Sequence, residues 1–111
     1  MGHPAEKLFE DAMQLPASER RALALRVLAS VPELTAPLIE KTPDVVGGSA
    51  RITRTRIPVW TLESYRRQGL TDAQLLDSFP SLRAVDLVAA WAYADAHPDE
   101  IARDIHENDA A

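Results

Sequence analysis

Prolines at positions 32, 37, 43, 58, 80 and 98, with glycines at 47, 48 and 69, cut this chain into short stretches. A proline ends or opens a helix and cannot donate to a sheet ladder, so each cut limits what the neighbouring residues can form. Before the first cut, Ala5, Leu8, Phe9, Ala12 and Met13 recur at helical spacing. "LPAS" breaks that pattern. Ser18 is then the expected N-cap of a second helix, in which Leu23, Val27 and Leu28 share a face and Val31 extends it to Pro32. The spacing predicts an amphipathic helical arm over residues 1–35, appended to a second domain over residues 36–111. "PELTAPLIEKTPDVVGG" reads as an extended connection with a short strand at Leu38–Glu40.

The next stretch, "GGSARITRTRIPVW", holds Arg51, Arg54 and Arg56. Ile52 and Ile57 would face opposite ways in one strand. A turn at Arg54 and Thr55 would place Ile52 opposite Ile57 and Arg51 opposite Pro58, with Arg54 at the exposed tip. Two readings follow: an anion-binding hairpin, or a solvated turn that keeps a sheet edge from aggregating.

From residue 59 the punctuation predicts helices. One spans 59–68 and stops at Gly69. Thr71 and Gln74 form a capping box, with Leu70 and Leu75 as its apolar staple. The short helix so opened ends before Pro80. "AVDLVAAWAYADA" gives a longer helix with Leu87, Ala90, Trp91 and Ala94 on one side and Tyr93 off that stripe. Pro98 starts a last helix bearing Ile101 and Ile105. Helix, glycine turn, short helix, tight turn and longer helix outline a helix-turn-helix unit in a mainly α chain.

Charge sharpens the picture. The 111 residues carry a net charge of −5, and there is no cysteine. Residues 1–40 are net −2, residues 41–70 net +4 and residues 71–111 net −7. A basic centre between acidic flanks fits a local anion site and argues against a generally basic nucleic-acid binder. Disulfides and thiolate metal sites are excluded. No stretch approaches a membrane span, and "MGHPAEKLFEDAMQ" is too acidic for a signal peptide. A cytoplasmic setting is the expectation.

No catalytic constellation is found. His3, His97 and His106 are not in phase for a metal, and Asp99, Glu100, Asp104 and Glu107 read as a solvated helix face. Neither a metal nor a cofactor is expected, nor an enzyme. Trp60, Tyr65, Phe79, Trp91 and Tyr93 read as core or dimer contacts.

"VVGGSARITRTRIPVWTL", "RRQGLTDAQLLDSFPSL" and "DLVAAWAYA" together resemble the family called domain of unknown function 433. The resemblance falls on Gly47–Gly48, Ile52, Thr55–Val59, Gly69–Thr71, Phe79–Leu82 and Ala89–Ala90, within about residues 43–97. "LPASERRALALRVLASV" more loosely resembles a helical segment of other addiction-module proteins. The resemblance implies a homeodomain-like fold with a short β-ribbon, usually dimeric. It implies an antitoxin of a type II toxin–antitoxin module, partnered by a PIN-like ribonuclease toxin, with operator DNA as a second partner in autorepression. The runner-up is a stand-alone helix-turn-helix transcriptional regulator. The family usually has glycine where Arg54 stands, and often Thr or Ser where Arg83 stands. Ser81 is therefore the expected cap of the helix at 84–96. That presumed recognition helix carries Asp86 and Asp95 and no Arg or Lys, which disfavours base reading. The residues expected to meet toxin or nucleic acid are Arg51, Arg54, Arg56, Arg66, Arg67 and Arg83; Trp60, Trp91 and Tyr93 are expected in the core or a homodimer interface.

Overall fold

A nearly all-apolar helix surrounded by other elements organises the molecule. In the computed structural model, which describes residues 4–109, the element order is α1 (Pro4–Ala12), α2 (Ala17–Ala29), α3 (Pro32–Thr35), a 3-10 turn (Ala36–Leu38), β1 (Ile39–Glu40), a second 3-10 turn (Val46–Gly48), β2 (Arg51–Ile52), α4 (Val59–Arg67), α5 (Asp72–Ser78), α6 (Ala84–Ala96) and α7 (Pro98–Asp109). α6 is the hub. Asp86, Leu87, Val88, Ala89, Ala90 and Ala94 are all buried there. A helix apolar on most of its faces must be covered on most of them. Here α4, α7, α2, α3, α5 and β1 all pack against it. Its alanines leave the neighbouring helices room to approach. Ile52, Val59, Leu62, Leu75, Leu82 and Ile101 complete the core. The result is mainly α, with a helix-turn-helix-like α4–α6 unit and a two-stranded antiparallel sheet.

The later punctuation is realised as the sequence predicts. Gly69 follows α4 with φ +101°. Thr71 Oγ1 accepts the Gln74 N–H at 3.2 Å, and Gln74 Oε1 accepts the Thr71 N–H at 2.8 Å. Leu70 and Leu75 both pack into the core. Earlier in the chain there are corrections. α2 starts at Ala17 directly after Pro16 and has no side-chain cap, so Ser18 lies inside the helix. Pro16 fixes φ at −57° on entry but carries no side-chain acceptor, so the first N–H groups of α2, on exposed residues, are left to water. Pro32 opens α3 rather than merely closing α2, and most of "PELTAPL" is helical, not extended. Packing of α3 on α6, with Thr35 buried, overrides the local proline signal.

β2 is flanked on both sides. Ile39 pairs with Ile52 and Glu40 with Arg51. On the other edge Arg51 bridges Pro58, and the Ile52 N–H donates to the Ile57 carbonyl at 3.0 Å. The turn lies one residue earlier than expected. Thr55 N–H closes on the Ile52 carbonyl at 3.1 Å, so Thr53 and Arg54 are its central residues.

Residues 4–109 form an elongated body of 59 × 26 × 23 Å. Its radius of gyration is 16.2 Å, against about 13 Å expected for a compact chain of this length. No residue of α1 is buried. No helix among the described residues is long and apolar enough to cross a membrane.

Candidate functional site

The β2 turn, with β1 and the 3-10 turn at Val46–Gly48 beside it, shapes a groove of about 480 Å³. Glu40, Val45, Thr53 and Thr55 line it with Arg51, Arg54 and Arg56. Each arginine is held differently. Arg51 lies flat across the sheet: Nη1 donates to Glu40 Oε2 at 2.9 Å and Nη2 to Thr42 Oγ1 at 3.3 Å. Its side chain is only 12% exposed and its charge is matched.

Arg54 occupies the left-handed region, φ +71°. This is the conformation that makes glycine the easier residue there. The turn is locked locally: Thr55 Oγ1 donates to the Ile52 carbonyl at 2.8 Å and accepts the Ile57 N–H at 3.0 Å. Arg54 is not a free tip. Its Nη2 lies 3.7 Å from Asp86 Oδ1, while 53% of the side chain stays exposed. Arg56 is exposed and has no side-chain partner among the described residues.

Asp86 is the residue that sequence reasoning missed. The sequence reads it only as an acid on a presumed recognition helix that disfavours base reading, yet it is fully buried. It accepts the Arg83 backbone N–H at 2.8 Å and the Arg83 guanidinium at 3.2 Å, and it also attracts Arg54. Arg83 is the N-cap of α6, and the carboxylate three residues on satisfies its N–H. This is one half of a capping box, so Ser81 is not needed. The spacing Arg83-x-x-Asp86 before an apolar run was the available signal. Four guanidiniums and two carboxylates thus meet around the turn, leaving two positive charges in excess.

Arg66 and Arg67 line no part of this groove. Both bind Glu63, itself buried in α4: Arg66 Nε at 3.2 Å and Arg67 Nε at 3.4 Å. Arg66 also stacks 4.4 Å over the Trp91 ring and reaches to 3.8 Å from Asp95. Trp91 Nε1 donates to Asp72 Oδ1 at 3.2 Å. These contacts brace α4 and α5 against α6. Trp60, Trp91 and Tyr93 are half-buried against the core.

Tyr93 O–H donates to Glu100 Oε2 at 2.6 Å, and Lys41 Nζ reaches Glu100 Oε1 at 2.9 Å. Burial alone would raise the Glu100 carboxyl; the bonds from Tyr93 and Lys41 outweigh it and hold the group below its ordinary value. Burial, then Glu100 itself, push Tyr93 upward. Burial and the Glu100 charge raise Asp104. Glu100 and Asp104 are therefore half-buried members of a network, not parts of a solvated face. His97 caps α6 and stacks on Tyr93 at 4.3 Å, and His106 is exposed on α7; His3 lies outside the described residues. Among those residues no cluster of three or more groups could hold a metal ion.

Comparison with known proteins places this geometry among relatives. Residues 39–94 match the family model described as "Protein of unknown function (DUF433)". The uncharacterized protein y4eO of Sinorhizobium fredii (strain NBRC 101917 / NGR234) is 31% identical over 61 residues, 55% of this chain. The match takes in 28% of that relative, so the chain spans under a third of its length. A crystal structure of a DUF433 member protein from Anabaena variabilis ATCC 29413 is 42% identical, with a TM-score of 0.62. That likeness covers 95% of this chain and 99% of the other, well beyond residues 39–94.

Proposed function

This chain belongs to the DUF433 family, and from that premise we propose that it is a non-enzymatic antitoxin that binds and neutralises a PIN-like ribonuclease toxin. One observation carries the reading. Arg56 has no partner among the described residues and Arg54 keeps half its side chain in solvent, and both rise from a hydrogen-bonded turn on the rim of one groove. A metal-dependent nuclease gathers carboxylates around its cation. A guanidinium entering that cleft can pair bidentately with a carboxylate and displace the ion. Holding the arginines on a rigid turn lowers the ordering cost of such a contact.

The rival reading, a stand-alone regulator reading DNA through α6, draws less support. Residues 86–90 of α6 are buried, and the part of the helix left open, Trp91, Ala92, Asp95 and Ala96, carries an acid and no Arg or Lys to read a base. Phosphate contacts by Arg54 and Arg56 remain open to it, as does autorepression beside toxin binding.

The test is the double variant Arg54→Glu/Arg56→Glu, assayed against a PIN-like nuclease sought in the neighbouring reading frame. The expected result is intact fold with inhibition of RNA cleavage lost, since breaking desolvated charge pairs costs about 2–5 kcal/mol. A variant that still inhibits but binds operator DNA more weakly, with a salt slope reduced by roughly one phosphate per residue, would move the arginines to the regulator. A variant that does both like wild type would return them to a solvated turn guarding an edge.

A further inference from the structure

The fully buried Asp86 carboxylate carries two guanidiniums from different parts of the chain. Arg83 is the N-cap of its own helix; Arg54 comes from the turn after β2. Arg83 Nη2 lies 3.2 Å and Arg54 Nη2 3.7 Å from the same oxygen, Oδ1, so the two nitrogens are at most about 7 Å apart. The other oxygen is committed: Oδ2 accepts the Arg83 backbone N–H at 2.8 Å and its Nε–H at 3.4 Å. One negative charge therefore faces two positive ones. Both side chains keep about half of their surface in water, 56% for Arg83 and 53% for Arg54. Arg83 lines no part of the groove that holds Arg51 and Arg56.

Two like charges this close repel each other, and Arg54 also holds a left-handed backbone. An arrangement that costs on both counts points to a gain outside the fold. Inside the fold the return at Arg54 is small, since 3.7 Å is beyond a hydrogen bond. A ligand carboxylate that accepts a bond of about 2.8 Å on each oxygen spans a gap of this size between two guanidiniums. Asp86 already shows the pair converging on a carboxylate from the protein side.

We infer that Arg54 and Arg83 form a clamp for one carboxylate side chain of an acidic partner protein, and that Asp86 is its positioning residue. Asp86 orders both guanidiniums from beneath before the partner arrives. A nucleic acid would lay many phosphates along a body of net charge −5, whereas a single carboxylate needs only the clamp. The clamp shares Arg54 with the antitoxin reading but does not require the partner to be a nuclease. Two effects of Asp86 oppose each other. Its charge repels an incoming anion, worth about threefold in affinity across roughly 7 Å of water. Its ordering of two long side chains favours binding by roughly fivefold to a hundredfold. Positioning wins, so removing the Asp86 charge weakens the clamp.

Acetate and dimethyl phosphate, monoanions that stand for a carboxylate side chain and a nucleic-acid backbone, are titrated into the full-length, isotope-labelled protein against chloride at matched ionic strength. By NMR, the Nε–H signals of Arg54 and Arg83 are expected to move together with acetate, and less with dimethyl phosphate. The signal of Arg21, exposed on α2, should stay in place. Arg83→Lys keeps the charge and loses the fork, and should lower the Arg54 response about tenfold. Because Arg83 is half exposed, this variant reads the clamp in an intact fold. Asp86→Asn keeps an oxygen for the α6 cap and should lower both responses about threefold or more. Any of four results overturns the proposal: Arg54 and Arg83 responding no more than Arg21, a wild-type response in Arg83→Lys, a stronger response in Asp86→Asn as repulsion alone requires, or a preference for dimethyl phosphate.

Discussion

Arg54 and Asp86 show what a single residue contributes and what it costs. A non-glycine residue in the left-handed region costs roughly 1–2 kcal/mol, and Arg54 sits there at φ +71°. The contact it gains with Asp86 is 3.7 Å long and half exposed, which is worth about 1 kcal/mol at most. Arg54→Gly is therefore expected to stabilise the fold by about 0.5–1 kcal/mol, read as a higher urea midpoint with unchanged slope. That the chain keeps arginine at a strained position is what a binding role for its charge would require. Asp86→Ala removes the acceptor of the Arg83 N–H and the shared partner of two arginines. Both arginines can turn to water, so the expected loss is about 2 kcal/mol rather than the larger cost of stranding buried charges. Asp86→Asn, whose amide oxygen still caps α6, should recover about half. A lower midpoint for Asn than for Ala would refute that capping role. The strain at Arg54 was signalled only by the resemblance to a family that usually has glycine there, while the spacing itself put the turn one residue too late. The role of Asp86 was not legible, because its burial depends on which elements cover α6.

At the scale of elements, boundaries marked by local chemistry were readable and those set by packing were not. Gly69, the Thr71–Gln74 pair, Pro80 and Pro98 fix α4 to α7 from neighbouring residues alone. α3 exists through its contact with α6, and no periodicity within four residues could announce it. Removing the cap with Thr71→Ala should cost about 1 kcal/mol and speed amide exchange in α5 selectively. The junction of α6 and α7 has a pH signature. Glu100 is held below its ordinary carboxyl value, so its stabilisation is present above the unfolded value and is lost as pH falls through the folded one. Tyr93→Phe removes one of the bonds responsible. The stability gap between wild type and Tyr93→Phe, about 1–2 kcal/mol at pH 7 for a hydrogen bond to a charged group, should narrow once the pH passes below the carboxyl range. Asp104, raised by burial, acts in the opposite sense: it stabilises in acid and loses that contribution as pH rises through its folded value. Guanidine melts at a series of pH values would separate the two. A gap that stays constant into acid would remove Glu100 from the account.

On the scale of the whole molecule, the first half of α6 is enclosed while Leu8 and Phe9 of α1 are exposed. Amides of Leu87–Ala90 should exchange only through global unfolding. The mainly α architecture was legible from punctuation and spacing, and so were the arginines of the turn, whose groove is lined by residues within 40–56; a second groove, between α2 and α6, was not, since it is made by segments far apart in sequence. The arginine groove also sits on a body of the opposite sign: two excess positive charges at the turn, on a chain of net −5. An acidic partner therefore meets two fields of different range. At low salt, where screening extends over about 30 Å, the net charge of the whole body repels it before the turn is near. Toward physiological salt the screening length falls to about 10 Å, and the local attraction then acts with little opposition. The association rate should accordingly climb with added salt before it declines. Encounter would be slowest in the dilute buffers that usually speed charged partners together, and a stopped-flow series across ionic strength would trace the maximum.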